Sequence, residues 1–162
     1  MTKQRGFTLI EVLLYTLIAG AILIAAVRLA TTALTIRSKV RSTLVLEENV
    51  RFASGRISNL VLEATGITTP VIGTPSSTLA LTTSVVTTTP STFRLTNGAI
   101  TLAQGTGTAM AITSNEVKVT RLLFTRVSST TPIVRIELTA TLTNASVSFP
   151  ALSVTTTADV RK

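Results

Sequence analysis

Between residues 7 and 27 the only charged side chain is Glu11. An apolar run of that length, at about 1.5 Å rise per residue, makes about 30 Å of helix, the hydrocarbon thickness of a bilayer. Beyond it the apolar positions fall into steps of three and four: Leu29, Ala33, Ile36 and Val40, then Leu46, Val50, Ala53, Ile57, Leu60 and Ala64. Each series draws one stripe on a helix. No proline occurs before Pro70, and Gly20 and Gly55 are the only glycines from residue 7 to residue 65. The spacing therefore predicts a single helix over residues 7–65, about 90 Å long at the standard rise. The break in phase between Val40 and Leu46 predicts a change of partner, from neighbouring helices to a folded head. Gly66, Thr68, Thr69 and Pro70 read as its stop.

From Pro70 the pattern changes to turn residues and β-formers. Residues 71–77 read as a loop with Gly73 and Pro75 as breakers, and residues 79–86 as a Thr-rich first strand. Asn97-Gly98, between residues 92–96 and 99–102, is the strongest hairpin signal in the chain and predicts a type I′ turn. Residues 104–107 read as a second turn and 109–113 as a short strand. In a strand over residues 117–127, Val117, Val119, Arg121 and Leu123 share one face by simple alternation. A turn over 128–132 leads to a strand over 133–143, which carries Val134, Ile136, Leu138, Ala140 and Leu142 on one side. A last strand covers 152–158. The expectation is an α+β fold: a long N-terminal helix whose outer half lies against an antiparallel β-meander of five to seven strands.

Glu11 is the anomaly in this pattern. A carboxylate within a membrane segment costs about 2.5–3.5 kcal/mol and is usually paired. The segment offers no cation before Arg28. A secretory signal peptide does not account for the pattern, because the apolar run is too long, it contains Glu11, and its small residue precedes the run. What precedes the run is Lys3, Gln4, Arg5 and Gly6, and then Phe7-Thr8-Leu9-Ile10-Glu11.

That string resembles the class III signal of type IV prepilins and type II secretion pseudopilins. The resemblance by motif covers about the first thirty residues. It implies a leader of residues 1–6 with Lys3 and Arg5 as its charges, cut between Gly6 and Phe7 by a prepilin peptidase on the cytoplasmic face, and N-methylation of Phe7. It also implies a role for Glu11, the fifth mature residue, as partner of the Phe7 amine of a neighbouring subunit, which sets the stagger of stacked helices. A pair within one helix is sterically open too, since the amine lies one turn away. The implied organisation is a leader (1–6), a transmembrane assembly helix (7–28), a continuation packed on the head (29–66) and a β head (67–162), together shaped like a ladle. Many major pilins have proline where this chain has Arg28, which points to a minor subunit. Residues 111–124 and the strand after them resemble the heads of J-type minor pseudopilins. The presence of Glu11 speaks against the tip subunit of secretion pseudopili, which lacks that acid.

Composition narrows the remaining readings. Among 162 residues there is no histidine and no cysteine. That removes imidazole acid–base chemistry, thiol nucleophiles and His/Cys metal sites. Glu47 and Glu48 adjoin but point about 100° apart on a helix, so they make no paired site; Glu47 is placed instead as an i,i+4 partner of Arg51. No cofactor or metal is implied, and no reaction. The formal charge of +8 includes Lys3 and Arg5, so a processed chain carries +6 on its side chains. The leader cations favour a cytoplasmic N-terminus and an extracytoplasmic head in a single-pass inner-membrane protein. Expected partners are the peptidase, other pilins or pseudopilins, an inner-membrane assembly platform and the bilayer. Two other readings stay open: that Arg28, Arg37, Lys39, Arg41, Arg51 and Arg56 bind DNA phosphates, and that a signal-anchored β domain serves adhesion. Phe52 is the only aromatic near those cations, which weighs against single-strand stacking.

Overall fold

A computed structural model describes residues 8–128, 132–143 and 151–160. The helix predicted by the apolar spacing is α1, Leu9–Glu63, 55 residues without a break. The chain divides into two compact units, Met1–Arg41 and Ser42–Lys162, so the second unit begins part-way along α1. In the first unit the apolar side chains of α1 are exposed; in the second, Leu46, Val50, Ala53, Ile57, Leu60 and Val61 are buried. The second stripe of the sequence thus faces a core, shifted only by the addition of Val61.

The helix does not end in a loop. Strand β1 (Ala64–Thr69) follows Glu63 directly. The residues read as a stop are therefore a strand: Gly66 and the threonines terminate the helix by turning the backbone to extended geometry, to which threonine is well suited. Then come β2 (Pro75–Ser76), β3 (Thr78–Thr83), β4 (Ser91–Thr96), β5 (Ala99–Gln104), β6 (Met110–Ala111), β7 (Val117–Arg126), β8 (Ile133–Leu142) and β9 (Leu152–Asp159).

Among the described residues these nine strands form two sheets rather than one meander of five to seven. One has the order β1-β3-β4-β5-β6 and the other β2-β7-β8-β9. All strand pairs within the sheets are antiparallel. The extra strands include the two-residue β2 and β6, too short for a period-2 signal. The sheets and the second half of α1 enclose one core, in which Phe93, Phe124, Ile57, Leu79, Leu81, Ile100 and Leu122 are the bulkiest fully buried side chains.

Three local devices set the register. The first is the β4–β5 hairpin, where Asn97 (φ 52°) and Gly98 (φ 79°) both have positive φ, as a type I′ turn requires. The second ends β3 at Thr83, short of the expected Val86. Thr89 Oγ1 accepts the Thr83 N–H at 3.1 Å and donates to the Thr83 carbonyl at 2.9 Å, which ends the pairing with β4, while Thr83 still pairs with Ala64 of β1. A 3-10 turn over Val86–Thr88 follows, and Gly105 (φ +55°) packs beneath it, where an added Cβ would collide with the Thr87 carbonyl oxygen. The third is a bulge in β7 between Val119 and Arg121. It reverses the alternation, so that Val117, Val119, Leu122 and Phe124 are buried while Arg121 faces solvent. The expected grouping of Arg121 and Leu123 with the valines is corrected by that extra residue. In β8 simple alternation holds, with Val134, Ile136, Leu138 and Ala140 inside.

Candidate functional site

In the first unit α1 presents a continuous apolar surface with nothing packed against it among the described residues. Leu9, Ile10, Leu13, Leu17, Ile22, Leu23 and Ile24 are all more than half exposed, as are Leu29, Ile36 and Val40 further on. Exposed apolar surface of this extent marks a membrane or protein contact. By length and composition this helix can cross a bilayer.

Its polar groups are arranged consistently with an apolar surrounding. Thr16 donates its hydroxyl to the Leu13 carbonyl; Thr31 and Thr32 both donate to Arg28; Thr35 donates to Thr31 and Ser38 to Thr35, each at 2.9 Å. A hydroxyl that bonds back to its own helix needs no water and no partner helix, so it lowers the cost of burying the segment. That accommodation follows from threonine and serine three or four residues after a helical carbonyl, whose second lone pair takes the hydroxyl, a pattern present in the sequence.

Glu11 lies in the first turn of α1 and is half-buried. Thr8 begins that turn: its carbonyl accepts the N–H of Glu11 at 3.1 Å and of Val12 at 3.2 Å. Lys3, Arg5, Gly6 and Phe7, the other residues of the predicted site, lie outside the described residues. Arg28, Arg37, Lys39 and Arg41 are all exposed on α1.

Residues 1–27 match the family model described as "Prokaryotic N-terminal methylation motif". The chain carries a prepilin-type N-terminus. It is type IV pilin-like or pseudopilin-like in that segment, which includes all five residues of the predicted processing and assembly site. No curated protein and no solved structure matches the chain. The prepilin-type segment and the long apolar helix together are consistent with a membrane-anchored prepilin, and proteins of this kind are typically structural rather than enzymatic.

In the second unit the sequence left one contact unread. Asn49, on α1, accepts the N–H of Ser114 through Oδ1 at 2.8 Å while its Nδ2 donates to the Val45 carbonyl at 2.9 Å. This amide ties the helix to the loop before β7. Arg126 Nη1 reaches the Ile67 carbonyl at 3.3 Å, linking the two sheets. Glu47 and Arg51 do not close the expected ion pair among the described residues; on a solvated helix face such a pair gains too little to fix two long side chains. Arg121 and Glu137 do meet, at 3.6 Å across the outer face of β7 and β8.

Proposed function

We propose that this chain is a structural minor subunit of a prepilin-type filament, a type IV pilus or a type II secretion pseudopilus, processed by prepilin peptidase between Gly6 and Phe7. The observation that supports this most is the position of Glu11. It is the only charge between residues 7 and 27, in an apolar helix surface that nothing among the described residues covers, and it is the fifth residue after the predicted cut. Cleavage would create the cation that the segment lacks, an α-amine on Phe7. Pairing Glu11 with that amine on a neighbour would compensate the carboxylate as the apolar surfaces of adjacent helices come together. In a low-dielectric surrounding the attraction is strong, and desolvation offsets part of it.

The reading is tested by Glu11→Ala and Glu11→Gln in cells that hold the peptidase and the companion subunits. Both variants are expected to lose their leader and remain in the membrane, and to be missing from sheared filaments or pseudopilus fractions. Incorporation at the wild-type level would refute the assigned role of Glu11.

A further inference from the structure

The two sheets have four edges, and three of them are blunted. Strands β2 and β6 are two residues long, and β1 carries two register shifts. Strand β9 is eight residues long, pairs with β8 in unbroken register, and contains no proline and no lysine. Long, regular edges without such devices are templates for pairing. The phase of the ladder shows which groups are open. Val127 N–H donates to the Ile133 carbonyl at 2.9 Å and Val160 N–H to the Pro132 carbonyl at 3.1 Å. Even-numbered residues of β8 and β9 therefore face each other. The backbone N–H and C=O groups of Ser153, Thr155, Thr157 and Asp159 point away from the sheet, and no hydrogen bond to them is made among the described residues.

The side chains of this edge read almost alike in both directions about Thr156. Leu152 corresponds to Val160, Ser153 to Asp159, Val154 to Ala158 and Thr155 to Thr157. An antiparallel pair of two such strands puts apolar against apolar on the inner face and hydroxyl against carboxylate or hydroxyl on the outer face. No like charges meet. Self-complementarity of this kind is what a two-fold interface demands. Beside the edge, an open groove of about 330 Å³ is lined by Val50, Leu152 and Val154, with Glu47 and Arg51 of opposite charge on its wall.

We propose that β9 pairs antiparallel with β9 of a second copy of this chain, with the two-fold axis at Thr156 and Thr155 opposite Thr157. The four outward-facing residues of each strand then exchange backbone hydrogen bonds in narrow pairs, and the two four-stranded sheets join into one. This contact belongs to the head and is independent of leader processing and of the apolar helix.

The absence of cysteine allows a direct test with the full chain in non-ionic detergent micelles. Thr156→Cys places two thiols across a non-hydrogen-bonded pair, where Cβ atoms lie close enough for a disulfide. Under mild oxidation it is expected to form covalent dimers about tenfold faster than Thr96→Cys, an exposed hairpin position that reports random collision within a micelle. Adding Thr155→Lys to Thr156→Cys should return the rate to the Thr96→Cys level. Thr157→Pro should do the same, since the amide it deletes points outward and leaves the β8–β9 ladder intact. Unchanged amide protection in β8 would show that both variants remain folded. Cross-linking of Thr156→Cys no faster than the control would overturn the proposal, and so would fast cross-linking that neither edge variant slows.

Discussion

Two isoleucines on one helix, Ile36 and Ile57, offer a test of where the core begins. Ile57 is 0% exposed and Ile36 is 56% exposed. Replacing either by alanine changes helix propensity in the same favourable direction and by the same few tenths of a kcal/mol, so that contribution cancels in the comparison. What differs is burial. Ile57→Ala deletes three carbon groups from a filled core, at about 0.8 kcal/mol each for transfer, and leaves a cavity in that core that raises the expected loss to about 3–4 kcal/mol. Ile36→Ala should cost the head less than about 0.5 kcal/mol, as expected of a substitution that touches no packed group. Hydrogen exchange read at the β8 amides isolates the head from the helix. A loss of 3 kcal/mol is expected there as a fall in protection of about two orders of magnitude for Ile57→Ala, with Ile36→Ala indistinguishable from wild type. If both variants lost protection equally, or if Ile57→Ala lost less than about tenfold, the assignment of the core to the second stripe would be wrong.

Gly105→Ala should cost the head at least about 2 kcal/mol in a melting experiment, because a Cβ at that left-handed position meets the Thr87 carbonyl. Asn49→Ala leaves the Ser114 amide without its acceptor and should cost about 1 kcal/mol, most of which Asn49→Asp should restore, measured by urea midpoint. Deleting Thr120, the unpaired residue of the β7 bulge, keeps Leu122 and Phe124 facing inward and should leave a folded head by heteronuclear NMR. Deleting Leu123 turns Phe124 outward and should abolish the folded spectrum. A titration of the full chain in micelles with single-stranded DNA at rising salt should show no binding that survives high salt, since Phe52 is the only aromatic near the cations on α1 that could stack a base.

Much of the fold was legible where one period dominated. The steps of three and four from Leu46 to Leu60 needed no other information, because a helix on a core must repeat in that way. Asn97-Gly98 fixed a hairpin since few residues tolerate two successive positive φ values. Strand β8 alternates without interruption, and its buried face could be read residue by residue. Legibility ended where tertiary pairing overrode local punctuation. Gly66 and Pro70 mark the end of a helix, but only the pairing with β3 makes residues 64–69 a strand. The bulge in β7 is invisible in a list of apolar and polar positions, because Leu122 and Leu123 are equally apolar and the choice between them is made by the partner strand. The division into two sheets is set by which strands pair, β1, β3, β4 and β5 apart from β7, β8 and β9, and the edge strands β2 and β6 are too short to carry a pattern. The candidate site was legible for a different reason: a lone carboxylate in an apolar run after Lys3, Arg5, Gly6 and Phe7 is a chemical anomaly before it is a structural one.

The most direct measurement is the mass of the N-terminal peptide of the full chain, purified from membranes of cells that contain a prepilin peptidase. The account predicts a chain that begins at Phe7 with a methylated amine, and a shift back to an unprocessed Met1 terminus when Gly6 is replaced by a bulky residue. A wild-type chain that retains Met1 through Gly6 in its assembled form would contradict it, for the Phe7 amine that Glu11 is proposed to meet would then not exist.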